Sequence, residues 1–178
     1  MSFNTPKIER PYAKTYEYKG TAGNGHFRYY DGTKNHTLPA ADLAPFVVLE
    51  EMKSISGFCE EKNRGIWSNE VLNLQTEPFK VRVDKVIICE GIYGDIKDTI
   101  KANGGKFTCV VFALIKGEIV RLLFAGSGCG GWIDKGFDPM AKQCGVKLTG
   151  TQSGKKGQTS FETPLFEPVT LNAEQIAE

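Results

Sequence analysis

The chain has 178 residues, with 22 Lys and Arg, 21 Asp and Glu and 2 His, so its formal net charge is +1. Hydrophobic residues make up 40% and charged residues 24%, which excludes a collagen-like, mucin-like or fully disordered chain and predicts one globular domain. The near-neutral total excludes the overall basicity of a histone-like coating protein, although a local basic patch still attracts a polyanion. No apolar run approaches the roughly 18 residues that cross a bilayer, so we expect a cytoplasmic protein without membrane contact.

Residues 1–40 are predicted to form an N-terminal arm. Prolines and glycines recur before residue 26 and no apolar period is sustained there, which is typical of an arm or loop. Residues 26–30 suit a short strand that ends at the turn-like Asp31-Gly32. Tyrosines alternate with basic residues in the arm, which suits ordering on nucleic acid or docking on a neighbouring subunit. The default expectation is that the arm covers an open barrel edge.

Three strands are predicted next. Residues 46–58 are extended and apolar, and Gly57 suits a bulge or a sharp bend inside them. Residues 65–71 alternate well enough for a second strand. Residues 79–83 alternate strictly and continue into the apolar run 86–89, which predicts the third.

A helix follows the third strand. Ile92, Ile96 and Ile100 recur at every fourth position, and Asn103-Gly104-Gly105 provides a stop signal. The later elements are a hairpin of residues 107–115 and 118–124, a short helix near 139–144, and a C-terminal hairpin of residues 146–151 and 159–171.

Three strands, a helix and a hairpin, in that order, are the elements of an OB-fold, a five-stranded partly open barrel with its helix between strands 3 and 4. We therefore predict a mainly β, OB-fold-like nucleic-acid-binding domain over residues 41–171, to which the C-terminal hairpin is an addition. An SH3-like barrel or a β-sandwich also fits the strands, but neither needs an amphipathic helix at that point. Residues 172–178 are predicted to form an acidic C-terminal tail.

The sequence offers little for catalysis. Five cysteines are widely spaced without a Cys-x-x-Cys motif, so we expect small buried hydrophobes and no metal site. Gly126-x-Gly128-x-x-Gly131 follows a strand but opens no long helical pattern, which excludes a dinucleotide-binding motif. We predict no catalytic residue and no cofactor.

Basic and aromatic residues interleave on the predicted strands. A single nucleic-acid strand offers phosphates, which attract mobile cations, and unstacked bases, which stack on aromatic rings. Within residues 79–83, Lys80 and Arg82 share one face and Phe79 lies on the other. The candidate cations are Lys53, Lys62, Arg64, Lys80, Arg82, Lys106 and Arg121, and the candidate stacking residues are Phe58, Trp67 and Tyr93. For Trp67, burial in the core is an equally weighted alternative.

Ordered blocks of the sequence resemble phage-encoded single-stranded DNA-binding proteins of OB-fold type. The blocks are residues 46–49, 65–71, 90–97, 104–106, 132–133, 154–157 and 164–167. The resemblance implies a protein that coats single-stranded DNA during phage replication or recombination in the host cytoplasm, without sequence preference and without a cofactor. The acidic tail is either simply solvated, which is the commoner case, or a contact for partners such as replication proteins, and a homo-oligomer is a candidate assembly.

Two other classes remain open on the sequence. A phage structural or assembly module would share the β-rich composition and the near-neutral charge. A metal-dependent nuclease would need acidic residues that converge in one cleft.

Overall fold

The structure, a computed structural model, describes residues 12–171 and is mainly β. The predicted tail at 172–178 and the first eleven residues of the predicted arm lie outside the described residues. The strands are β1 (Lys14–Thr21), β2 (Asn24–Tyr30), β3 (Asn35–Pro39), β4 (Phe46–Cys59), β5 (Arg64–Trp67), β6 (Phe79–Val83), β7 (Val86–Gly91), β8 (Gly105–Ile115), β9 (Glu118–Ala125), β10 (Gly145–Lys156) and β11 (Thr159–Val169). The α-helices are α1 (Tyr93–Ala102), α2 (Ser127–Ile133) and α3 (Pro139–Lys142), and a 3₁₀ turn covers Ala40–Asp42.

The hydrogen bonding of six strands closes into a ring. The order is β4–β8–β9–β1–β11–β10, and β10 returns to β4, where Gly145 lies opposite Val47. β1 runs parallel to β9, and the other neighbours in the ring are antiparallel. Strands β5, β6 and β7 branch from the second half of β4, so this 14-residue strand belongs to both the ring and the branch.

Two apolar cores follow from this arrangement. Inside the ring, the fully buried Trp132 stacks on Phe124 with 5.3 Å between ring centroids, and Phe46 and Phe166 pack against it. The second core lies between the branch and α1, where Ile96 and Ile100 pack with the buried residues of β5 and β6. The inward side chains Phe79, Val81 and Val83 leave Lys80 and Arg82 on the outer face, as predicted.

The predicted helix and hairpins are present. α1 lies between β7 and β8 and ends before Gly104, which has a φ of 86°. Lys116 and Gly117 join β8 to β9 with φ values of 48° and 74°, as a two-residue hairpin turn requires. The bulge of β4 lies between Val48 and Glu50 and not at Gly57, where it was predicted. Glycine is needed at position 57 because a Cβ there would lie 2.3 Å from the Gly104 carbonyl oxygen.

Three features differ from the predictions. The described part of the predicted arm is not irregular, because β1, β2 and β3 form an antiparallel meander there. The C-terminal hairpin is not an addition to the other strands, since β10 and β11 complete the ring. The glycine-rich run forms helix α2, whose glycines fit close contacts: a Cβ at Gly128 would come within 2.6 Å of Tyr18, and one at Gly131 within 2.5 Å of the Pro164 oxygen.

Among residues 12–171, no helix has the length and apolar character that a membrane span requires.

Candidate nucleic-acid interface

Strand register places four outward side chains in one row across the sheet. Lys106 on β8 lies opposite Ser56 on β4, Ser56 lies opposite Trp67 on β5, and Trp67 lies opposite Arg82 on β6. Directly opposed residues of neighbouring strands project from the same face, so all four side chains share it. With strands about 4.8 Å apart, the row is about 14 Å long. We call Lys106, Ser56, Trp67 and Arg82 the outer row.

Trp67 is on the surface and not in the core. Its side chain is 47% exposed, while its neighbour Ile66 points inward and is buried. The Arg82 guanidinium carbon lies 5.1 Å from the centroid of the Trp67 ring, a cation–π arrangement that orients the indole. The outer row therefore presents a flat ring and a cation side by side.

Lys80 extends the same face. It lies two residues before Arg82 on β6, so both side chains project outward. Its ammonium is 3.2 Å from the Glu90 carboxylate, and both side chains are nearly half exposed. An exposed pair of this kind contributes little to stability and exchanges readily for another anion.

The Lys106 end of the outer row opens into a groove of about 1350 Å³. Phe58, two residues beyond Ser56 on the same face of β4, is 51% exposed and lines this groove with Lys106. Phe161 on β11 lines another wall and packs over Gly154, whose added Cβ would lie 2.5 Å from the ring. The groove thus has an aromatic ring on each of two walls.

Three lysines are the available positive charges of the groove. Lys101, Lys106 and Lys156 line it, and none of them forms an ion pair within residues 12–171. Lys101 comes from the end of α1 and Lys156 from the tip of the β10–β11 hairpin. Lysine side chains are long and flexible, so these three ammonium groups suit the irregular spacing of phosphates along a single strand.

Lys19 and Arg28 also line the groove but are already paired. Glu17 accepts hydrogen bonds from Lys19 at 2.5 Å and from Arg28 at 3.0 Å. Burial alone would raise the pKa of Glu17, but the hydrogen bonds and charges of Lys19 and Arg28 outweigh burial and lower it. The carboxylate therefore stays ionised and offsets much of this positive charge.

Two of the predicted site residues are held inside the fold. Lys53 points to the inner face of β4, opposite the buried Cys109, and pairs with Glu51. Tyr93 is half buried at the start of α1, where its ring packs against Phe107 at 5.0 Å, and burial raises its pKa. These contacts leave Lys53 and Tyr93 little freedom to meet a ligand.

Arg121 faces outward on β9 but is held by other side chains. Its guanidinium pairs with Glu70 and lies 5.8 Å from the centroid of the Tyr12 ring. The guanidinium therefore joins β9 to the segment that follows β5.

The last two candidates lie at the tip of the β4–β5 hairpin. Lys62 is exposed in the turn itself. Arg64 is exposed at the start of β5, opposite Cys59, so it projects from the inner face and away from Trp67. Glu60 and Glu61 line the groove beside this tip, and they reduce its positive potential.

Of the ten predicted site residues, the structure brings five to one continuous surface: Phe58, Trp67, Lys80, Arg82 and Lys106. It adds Lys101, Lys156 and Phe161, which the strand pattern did not single out. Lys156 belongs to a block that carried the family resemblance, so a signal for it existed. Lys101 and Phe161 reach the groove only through the folding of distant elements.

No three His, Cys, Asp or Glu side chains within residues 12–171 are grouped as metal ligands. Comparisons of the chain with protein-family models, curated proteins and solved structures returned no match.

Proposed function

We propose that the protein binds single-stranded DNA without sequence preference and protects it during replication or recombination, as a phage-encoded protein would. The observation that carries this proposal is the outer row, because its exposed indole lies between Arg82 and Lys106 and the Lys106 end opens into a groove whose lysines Lys101, Lys106 and Lys156 form no ion pair within residues 12–171. Bases would stack on Trp67 and Phe58, while phosphates would pair with Lys80, Arg82, Lys106, Lys101 and Lys156.

Stacking and phosphate contacts explain why binding would tolerate any sequence. Every base has a π face, and every nucleotide carries the same phosphate. Each stacked base is worth about 1–3 kcal/mol, and each phosphate contact adds about −0.7 to the slope of log affinity against log salt. Five phosphate contacts would give a slope of about −3.5.

We also propose that β4 to β9 and α1 form an OB-fold-like unit, which agrees with the resemblance to single-stranded DNA-binding proteins. The position of α1 between the branch strands and the β8–β9 hairpin supports this assignment. In this arrangement β1, β10 and β11 close the ring around the OB-like strands. A homo-oligomer, and a contact between the acidic tail and replication proteins, belong to the same proposal.

A mobility-shift titration tests the function. Oligonucleotides of single-stranded DNA, double-stranded DNA and RNA are titrated at several salt concentrations, with and without magnesium. We expect binding of mixed-sequence single-stranded DNA, weaker binding of the duplex, and a negative salt slope. No salt-dependent shift would refute the proposal and favour an assembly module, and magnesium-dependent degradation would favour a nuclease. The titration with RNA measures whether the groove distinguishes ribose from deoxyribose.

A further inference from the structure

Two buried thiols meet at the inner face of the ring. Cys109 on β8 and Cys129 on α2 place their sulfur atoms 3.1 Å apart, although 20 residues separate them in the chain. Cys109 is fully buried, and Cys129 is 6% exposed. A disulfide needs a separation of about 2.05 Å, so the sulfurs have only about 1 Å to close.

The two thiols of the pair differ in acidity. Acceptance of a hydrogen bond from the Cys109 thiol lowers the pKa of Cys129, and the nearby Lys53 charge lowers it further, while burial and Glu51 oppose this. The same hydrogen bond, together with burial, raises the pKa of Cys109. Cys129 is therefore the more acidic thiol of the pair, and it is also the more exposed one.

Lys53, excluded from the outer row, faces this pair. It lies opposite Cys109 and pairs with Glu51 on the inner face of β4. Lys135 lies near the same group, with its ammonium 4.2 Å from the centroid of the Trp132 ring. Positive charge near a cysteine favours its thiolate, which is the form that an oxidant attacks.

We propose that Cys109 and Cys129 form a redox modification site, in which a hydroperoxide converts the pair into an intramolecular disulfide. The Cys129 thiolate attacks the outer peroxide oxygen, the O–O bond breaks, and the leaving oxygen takes a proton to depart as water or an alcohol. Cys129 is then a sulfenic acid. The Cys109 sulfur attacks the Cys129 sulfur, the S–O bond breaks, hydroxide leaves as water with the Cys109 proton, and the disulfide forms. The two thiols lose two electrons, which the peroxide gains.

The bond would tie β8 to α2 inside the ring. Because the two sulfur atoms already lie in contact, the bond leaves the outer row in place. It stabilises the fold because a cross-link restricts the unfolded chain. Closing a loop of this size predicts a rise of about 5–10 °C in the midpoint of thermal unfolding.

The test uses the full chain, reduced and then treated with hydrogen peroxide at a few equivalents. The protein is denatured, its free thiols are alkylated, and the protein is mapped by mass spectrometry. We expect a Cys109–Cys129 cross-link, with Cys59, Cys89 and Cys144 alkylated. Full alkylation of both cysteines, or a cross-link to any of the other three, would refute the proposal.

Single variants test the assigned roles. Cys109→Ser should leave a sulfenic acid at Cys129 that dimedone traps, whereas Cys129→Ser should leave Cys109 unreacted. Cys144→Ser is the matched control and should cross-link as the unaltered chain does. Trapping at Cys109 in Cys129→Ser, with none at Cys129 in Cys109→Ser, would overturn the assignment of the attacking thiol. If a serine variant does not fold, the mapped cross-link of the unaltered chain still decides the proposal.

Discussion

The two tryptophans lie in regions that differ in their exposure to solvent. Trp132 is fully buried inside the ring, stacked on Phe124 and edge-on to Phe166. Trp67 lies on the outer face of the branch, nearly half exposed, with the Arg82 guanidinium over its ring. Both are large apolar rings in a β-rich chain, so the residue type alone does not separate structure from function.

Strand register places Trp67 on the surface. Each strand presents alternate residues to opposite faces, so Ile66 enters the second core while Trp67, next in sequence, faces solvent. An exposed tryptophan leaves apolar surface in water unless a ligand covers it. We therefore expect Trp132 to stabilise the fold and Trp67 to serve the proposed ligand contact, and substitution tests each expectation.

The largest expected effect is on stability, from Trp132→Ala. Removing a fully buried indole and leaving a cavity among Phe46, Phe124 and Phe166 should cost about 3–5 kcal/mol of unfolding free energy. Denaturant unfolding followed by circular dichroism measures this cost, and Trp132→Phe should lose less because it retains a ring. A loss below about 1 kcal/mol for the alanine variant would contradict the inner-ring assignment.

Trp67→Ala should have the converse effect. We expect weaker binding of single-stranded DNA by about 1–3 kcal/mol, because a stacking platform is lost, and a thermal midpoint close to that of the unaltered chain. Fluorescence anisotropy and thermal unfolding on the same preparations provide both numbers. Tyr30→Ala is the control, since Tyr30 is an exposed aromatic residue on β2 outside the outer row. Equal losses of affinity in both variants, or a large loss of stability in Trp67→Ala, would overturn the comparison.

The double variant Lys80→Ala/Arg82→Ala tests whether these two cations contact phosphates. Two lost phosphate contacts should flatten the log–log salt slope by about one to two units. Lys116→Ala/Lys147→Ala removes the same charge elsewhere: Lys116 lies at the opposite end of β8 from Lys106, and Lys147 is exposed on β10. Affinities measured from low to moderate salt provide both slopes. An unchanged slope in the first variant would remove β6 from the interface.

Local signals in the sequence predict much of the fold. The spacing of Ile92, Ile96 and Ile100 and the stop signal after them predict α1, in which Ile96 and Ile100 are the buried residues. Lys116-Gly117 predicts the β8–β9 hairpin. Both depend on neighbours a few residues apart. β1 also alternates Tyr16-Glu17-Tyr18-Lys19, but the surrounding glycines and prolines favour an arm, and only pairing with β9 and β2 makes the strand.

The features that the sequence did not predict depend on contacts between distant segments. Helix α2 contains poor helix formers, and its glycines are explained by the close approach of Tyr18 and Pro164. The side on which Lys53 lies depends on the pairing of β4 with β8, which includes a bulge between Val48 and Glu50. For the candidate site, the alternation of β6 predicts the outward positions of Lys80 and Arg82. The exposure of Trp67 follows only from the packing of its neighbour Ile66 into the second core.

The smallest expected effect is on the stability that Glu162 contributes to the ring from β11. Its carboxylate accepts hydrogen bonds from the Ser153 hydroxyl at 2.7 Å and the Gly23 amide at 3.0 Å, and these bonds lower its pKa from the ordinary 4.5. A lowered pKa in the folded state means that the ionised group stabilises the fold above pH 4.5 and loses that contribution as the pH falls.

Glu162→Gln should therefore be less stable than the unaltered chain at pH 7 and approach it at about pH 3, as measured by urea unfolding at both values. Glu167→Gln, on the exposed face of the same strand, is the matched control and should track the unaltered chain. A stability difference for Glu162→Gln that is the same at both pH values would mean that the shape of the side chain, and not its charge, joins β11 to the β1–β2 turn.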